Sequence, residues 1–122
     1  MKTNDLSGAA LDWAVARCEL LNGADYTLEI NKDVDGTLRV NFGGMYPEWS
    51  TDWKQGGEII ERERLSITPR EGYWEAYYHD NLFQDDGSDY FQIGTTPLIA
   101  AMRCYVASKM GDSVQLPEEL NN

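Results

Sequence analysis

The spacing of apolar residues changes period along this chain, and that change leaves few architectures open. Behind Ser7, a residue suited to capping, Leu11, Ala14, Val15, Cys18 and Leu21 recur at three- and four-residue steps. The pattern predicts a helix from about Gly8 to Leu21, with Asp12, Arg17 and Glu19 off its apolar stripe and Asn22-Gly23 closing it. From Asp25 the period becomes two: Tyr26, Leu28 and Ile30 alternate with Thr27, Glu29 and Asn31. Asp35-Gly36 turns the chain, and Leu38, Val40 and Phe42 resume the alternation, so residues 25 to 42 read as a β-hairpin that Gly43-Gly44 ends.

The next segments carry weaker signals. Residues 45 to 57 hold two Trp, one Tyr, a Pro and two Gly without helical or strand period, and read as a long, ordered loop. Glu58 to Thr68 places Ile59, Ile60, Leu65 and Ile67 around Glu61-Arg62-Glu63-Arg64; because Pro69 blocks a continuing helix, an extended segment with an exposed edge is expected, with a helical turn as the alternative. Tyr73 to His79 and Tyr90 to Ile93 predict a second hairpin across a polar loop containing Asp85-Asp86-Gly87. Thr96 then caps a last helix with Pro97 at its first position, Leu98, Ala101, Met102, Tyr105, Val106 and Met110 on its buried side, and Gly111 at its end. Residues 112 to 122 read as a peripheral tail. The sum is an α+β fold: a mostly antiparallel sheet of about four to five strands with N-terminal and C-terminal helices packed on it, forming one domain over residues 1–122.

Charge narrows the partners. Ten Lys and Arg against 21 Asp and Glu give 10 − 21 = −11, which repels phosphate backbones and argues against direct nucleic-acid binding. The same surplus suits a basic surface, including a DNA-binding protein whose groove the chain would fill in place of DNA, and it also suits plain solubility. No signal-peptide pattern opens the chain and no apolar run approaches the roughly 20 residues of a membrane span, so a cytoplasmic protein without membrane contact is expected. Cys18 and Cys104 both fall at apolar helix positions and read as reduced core residues.

Catalytic and metal signatures are absent from the sequence. Asn31 to Leu38 imitates the start of a calcium loop, but Phe42 stands where the bidentate Glu belongs and strands flank it, so a hairpin turn is expected and no metal or cofactor is implied. His79, the only histidine, is a conceivable general base, although Asp80 beside it points to the opposite face of a strand. Gly43-Gly44 and Gly56-Gly57 read as turn glycines without the Lys of a phosphate loop. The richest segment is Tyr46 to Trp53, because Trp and Tyr give large contact area at low entropic cost. Tyr46, Trp49, Ser50, Thr51, Asp52 and Trp53 are the candidate contact residues, unless the rings fold back to plug the sheet. Glu61, Arg62 and Glu63 join them, either facing a partner or forming a solvated edge that resists aggregation.

Three stretches carry a family resemblance: Leu11-Asp12-Trp13-Ala14-Val15-Ala16; Ser50-Thr51-Asp52-Trp53 followed by Gly56-Gly57 and Ile59-Ile60-Glu61-Arg62-Glu63; and Thr96 through Ala107. Together they resemble the small NinX-like proteins of tailed bacteriophages and prophages, a family of unknown function, over most of the chain except about 65 to 92. The resemblance implies a phage accessory protein inside an infected or lysogenic bacterial cell, and brings no catalytic residue with it. Its positions outside the obvious core are Trp13, Ser50, Thr51, Asp52, Trp53, Gly57, Glu61, Arg62 and Glu63.

Three functions are open at this stage. The first is an acidic, non-enzymatic module docking a basic host or phage protein through the Tyr46 to Trp53 loop. The second is a small-molecule binder that stacks a nucleotide base on loop aromatics while Arg62 or Arg64 pairs with its phosphate. The third, ranked last, is a hydrolase or transferase using His79.

Overall fold

The computed structural model describes residues 1–78 and 91–121. Its elements run α1 (Gly8–Leu21), β1 (Leu28–Lys32), β2 (Leu38–Phe42), α2 (Trp53–Glu63), β3 (Leu65–Arg70), β4 (Tyr73–Tyr78), β5 (Gln92–Gly94) and α3 (Pro97–Met110). The class is α+β, as the period changes predict, and every strand pairing is antiparallel. The strands divide into two sheets, however: β1 pairs with β2, and β3, β4 and β5 pair in that order.

The division follows from α1, which is buried on two faces instead of one stripe. Leu11, Ala14, Val15 and Cys18 join the main core with α3 and the three-stranded sheet, while Ala16 packs with Val40 and Phe42 of the hairpin in a second cluster. Trp13 and Trp49 touch both clusters. Asp12, expected off the buried stripe, is only 6 % exposed, whereas Leu21, expected on it, is 63 % exposed. Ser7 holds the N-cap position without a capping bond from its hydroxyl.

α3 is the hub. Its residues from Leu98 to Ala107 are almost all buried, Thr96 caps it by accepting from the Ile99 amide, and it packs on α1, α2 and all three strands of the larger sheet. Arg103 fastens its flanks by donating to the backbone carbonyls of Leu6 and Ile93 at 2.7 and 2.8 Å. Cys18 and Cys104 are free and fully buried, as expected, and burial pushes both thiols up to about 12.

Three sequence expectations are corrected. The loop expected over 45 to 57 stops at Asp52, and the segment expected to be extended from Glu58 is helical to Glu63. Asp52 is the N-cap of α2, accepting from the Lys54 amide and from the Gln55 side chain, while Gln55 reaches back to the Glu48 amide. Arg64, in the left-handed conformation at φ 56°, ends the helix before Pro69 bears on it. Pro69 sits instead in β3, an edge strand, where its missing N–H costs nothing. The tail is not peripheral at its start: Val114 and Leu116 enter the core, and the Met1 ammonium and the Thr3 hydroxyl donate to the carbonyls of Val114 and Gly111. β4 and β5 pair as the second hairpin predicts, but its turn, together with His79 and Asp80, lies outside the described residues.

Gly56 explains how a helix tolerates a Gly-Gly pair. A Cβ there would lie 2.3 Å from the Trp49 carbonyl oxygen and 2.6 Å from Leu98 Cδ2, so the missing side chain lets α2 seat against the loop and α3. At Gly57 a Cβ would meet only Trp53 Cε3, at 3.8 Å. Gly56→Ala is therefore expected to destabilise by about 2 kcal/mol or more through overpacking against backbone. Gly57→Ala is expected to stabilise by up to about 1 kcal/mol through helix propensity. Chemical denaturation midpoints of the two variants check the pair.

Candidate functional site

One end of the β1–β2 hairpin and the loop that follows it build a shaped surface with two cavities. Leu28 pairs with Phe42, so the chain just before β1 lies beside the chain just after β2. Tyr26 thereby packs edge-on to Phe42 at 5.2 Å, and Phe42 packs edge-on to Trp49 at 5.9 Å. Met45 closes a tight turn on Phe42, with the Asn41 side chain accepting from the Gly44 amide inside it. The result is a groove of about 430 Å³ floored by Tyr26, Phe42, Met45, Tyr46, Pro47 and Trp49 and walled by Glu19, Gln55 and Glu58. Its apolar rim is open to solvent: Tyr26 is 60 %, Met45 74 % and Tyr46 46 % exposed.

Tyr46 and Pro47 form a ridge, because they also line a second cavity of about 250 Å³ on the far side. Tyr46 is held upright by its hydroxyl bond to Asn31 at 3.2 Å and by the Arg39 guanidinium 5.6 Å from its ring centre. Asp12 of α1 reaches this second cavity, which Glu48, Thr51, Thr37 and Arg39 also line. The Ser50 amide donates to Asp12 Oδ1 at 2.9 Å. The Ser50 hydroxyl is enclosed against the same carboxylate. Burial raises the Asp12 carboxyl to about 6; the Ser50 amide pulls the other way, and Glu48 adds to the rise.

Behind the groove, a polar network ties the helices together. Arg62 of α2 donates to both carboxylate oxygens of Glu19 at 3.0 and 2.8 Å and to Glu63 at 3.0 Å. The fully buried Tyr105 of α3 donates to Glu19 at 2.5 Å and accepts from Arg62 at 3.1 Å. Tyr78 of β4 donates to Glu63 at 3.1 Å and meets the Ser108 hydroxyl at 2.9 Å. Desolvation first, and the Glu19 carboxylate second, hold the Tyr105 phenol far above its usual range, while the Glu19 contact raises Arg62.

The expected contact residues divide accordingly. Tyr46 and Trp49 line the groove, with Trp49 half-buried and Tyr46 open. Ser50 is buried on Asp12 and Thr51 faces the second cavity. Asp52 caps α2; Trp53, 55 % exposed, stands on that helix outside the groove lining, and Glu61 is exposed. Arg62 and Glu63 belong to the helix network, so Arg62 already meets two carboxylates and has no charge to spare for a phosphate. Sequence reading missed Tyr26, Phe42, Met45 and Glu58 in the groove and Asp12 in the cavity. The hairpin register itself would have placed Tyr26 beside the loop, and Asp52-x-x-Gln55 is a capping signature that would have started α2. Among the described residues no group of three or more His, Cys, Asp or Glu is placed to hold a metal ion, and no helix is long and apolar enough to cross a membrane.

The family model described as bacteriophage P22 NinX matches residues 2–109, a span that contains the groove, the Asp12 cavity and the helix network. The chain belongs to that family. It is a phage accessory protein, and the resemblance carried by the three sequence stretches holds over nearly the whole chain. No curated protein sequence matches the chain closely enough to count as a relative.

The Asp12 carboxyl gives this NinX-family fold a defined pH signature. Its folded value of about 6 lies above the ordinary 3.8, so the folded chain binds the proton more tightly than the unfolded one. The stabilisation is complete below about 3.8 and is lost as pH rises through about 6. Asp12→Asn keeps an acceptor for the Ser50 amide without the charge. It is expected to exceed the native protein in stability by about 2 to 3 kcal/mol above pH 7, the gap closing towards pH 4, as urea unfolding across pH measures.

Proposed function

We propose that this phage protein is a non-enzymatic interaction module that docks a basic protein partner, of host or phage, on the aromatic groove beside the Tyr46–Pro47 ridge. The observation that carries the reading is the combination of the open side chains of Tyr26, Met45 and Tyr46 with the exposed Glu58 carboxylate on the wall. Large, exposed aromatic and Met side chains are the residues that supply binding energy at interfaces, and monomeric surfaces seldom cluster them without use. Glu58 is exposed, and the net charge of −11 steers a basic surface toward the walls. Cationic side chains entering between Tyr26, Tyr46 and Trp49 would gain cation–π attraction as well.

The groove gives less support to a phosphorylated small molecule. Its volume is of ligand size, but among the described residues no cation lines it, Glu58 is negative, and Arg62 is paired with Glu19 behind it. A nucleotide would therefore meet repulsion where it needs donors. The hydrolase reading rests on His79, which lies outside the described residues.

The test is capture of partners from phage-infected cells with native bait and with the Tyr26→Ala/Met45→Ser double variant, both substitutions falling on exposed side chains. The double variant is expected to lose the partner at least tenfold, and the native complex to weaken as salt rises. A partner retained equally by both baits removes the groove from consideration.

A further inference from the structure

The second cavity contains a charge with no counterpart. Asp12 is 6 % exposed and lines the cavity, its carboxylate accepts from the Ser50 amide with the Ser50 hydroxyl also against it, and among the described residues no cationic side chain forms a salt bridge with it. Glu48 on the rim adds a second negative group. Arg39 lines the same space, but its guanidinium is bound to Asp33 at 2.9 Å, so that pair adds no net charge. The start of α1 at Gly8 and Ala9 contributes about half a positive charge, against two carboxylates. The sum is still negative, so the cavity repels anions and attracts a cation. A carboxylate enclosed without a cation is costly, and an entering positive group removes that cost.

We propose that the Asp12 cavity is a subsite for a single arginine side chain of the partner protein, its guanidinium donating to the carboxylates of Asp12 and Glu48. This rests on the docking reading above and deepens it: one segment lies over the Tyr46–Pro47 ridge, apolar side chains in the groove and the arginine beyond it. The space of about 250 Å³ admits a guanidinium and part of its stem, and Tyr46 and Pro47 offer flat walls of the kind a planar cation stacks on. The Arg39 guanidinium, on the lining of the same cavity, already lies 5.6 Å from the Tyr46 ring centre, so this ring takes cations. Arginine is favoured over lysine because its fork reaches two carboxylates at once.

The experiment is an amide-resolved NMR titration of the whole protein at pH 7.5 and constant ionic strength. The probe is N-acetyl-arginine amide, and its neutral citrulline analogue is the control. Saturable shifts are expected at Ser50, Thr51 and Ala9 with the arginine probe alone, weakened at least tenfold in Asp12→Asn. That variant is expected to be the more stable protein, and its own spectrum verifies folding, so a loss there cannot be a loss of structure. Tyr26→Ala/Met45→Ser leaves the cavity lining intact and is expected to keep the arginine shifts while losing the partner, which separates the two proposals. No saturable shift in the native protein, equal shifts with citrulline, or undiminished binding by Asp12→Asn each overturns the subsite, and the groove then stands or falls on its own capture test.

Discussion

One buried hydrogen bond organises the surface of this protein. The Ser50 amide, in the connection between β2 and α2, donates to Asp12 of α1, thirty-eight residues earlier in the chain. The Tyr46 hydroxyl on Asn31, the Glu48 amide on Gln55 and the Phe42–Trp49 contact also hold residues 43 to 52, but this is the bond that ties the segment to α1. With it, Trp49 is fixed against both hydrophobic clusters, Tyr46 and Pro47 stand up as a ridge, and a cavity opens on either side. The bond is charge-assisted when Asp12 is ionised, which is the stronger kind, yet burial opposes that ionisation. The same carboxylate thus holds the loop and strains the fold.

The second constraint is the way α2 is seated. Gly56 lets its backbone close on the Trp49 carbonyl and on Leu98, and from that seat Arg62 reaches Glu19 and Glu63. Arg62 is a partly exposed side chain, so its ion pairs alone are worth little. Tyr105 changes the balance, because its buried hydroxyl needs a partner and Glu19 supplies one. The network therefore fixes Glu19 on the groove wall as a by-product of satisfying α3.

Much of this was legible in the residues. The hairpin over 25 to 42, α1, α3 and the antiparallel habit follow from local period and capping, which act over a few residues. What failed needed tertiary information. α1 was read as one stripe because Ala16 counts weakly as an apolar residue and Asp12 counts as polar, yet both are enclosed once two clusters flank the helix. α2 escapes local reading because two glycines break its period and Pro69 argues against a helix, while its start signal, Asp52-x-x-Gln55, begins inside the aromatic segment. Its glycine is there for close packing, which is a property of the neighbour and not of the segment. The loop aromatics were visible, but which of them face solvent was not: Trp49 serves the junction, and Tyr26, from another element, completes the floor.

The distribution of cost gives the last step. A fold selected only for stability would place an amide or an apolar residue at position 12, because a neutral side chain satisfies Ser50 without desolvating a charge. It would likewise cover Tyr26 and Met45 instead of leaving them 60 % and 74 % exposed at the mouth of a groove. Both departures flank the Tyr46–Pro47 ridge, one on either side, on a chain whose net charge is −11. Local rules broken side by side, at a cost in stability, are the pattern expected where a surface is shaped for something that binds it. The chemistry of that something follows from what is missing: apolar contact over the groove, and positive charge over Asp12.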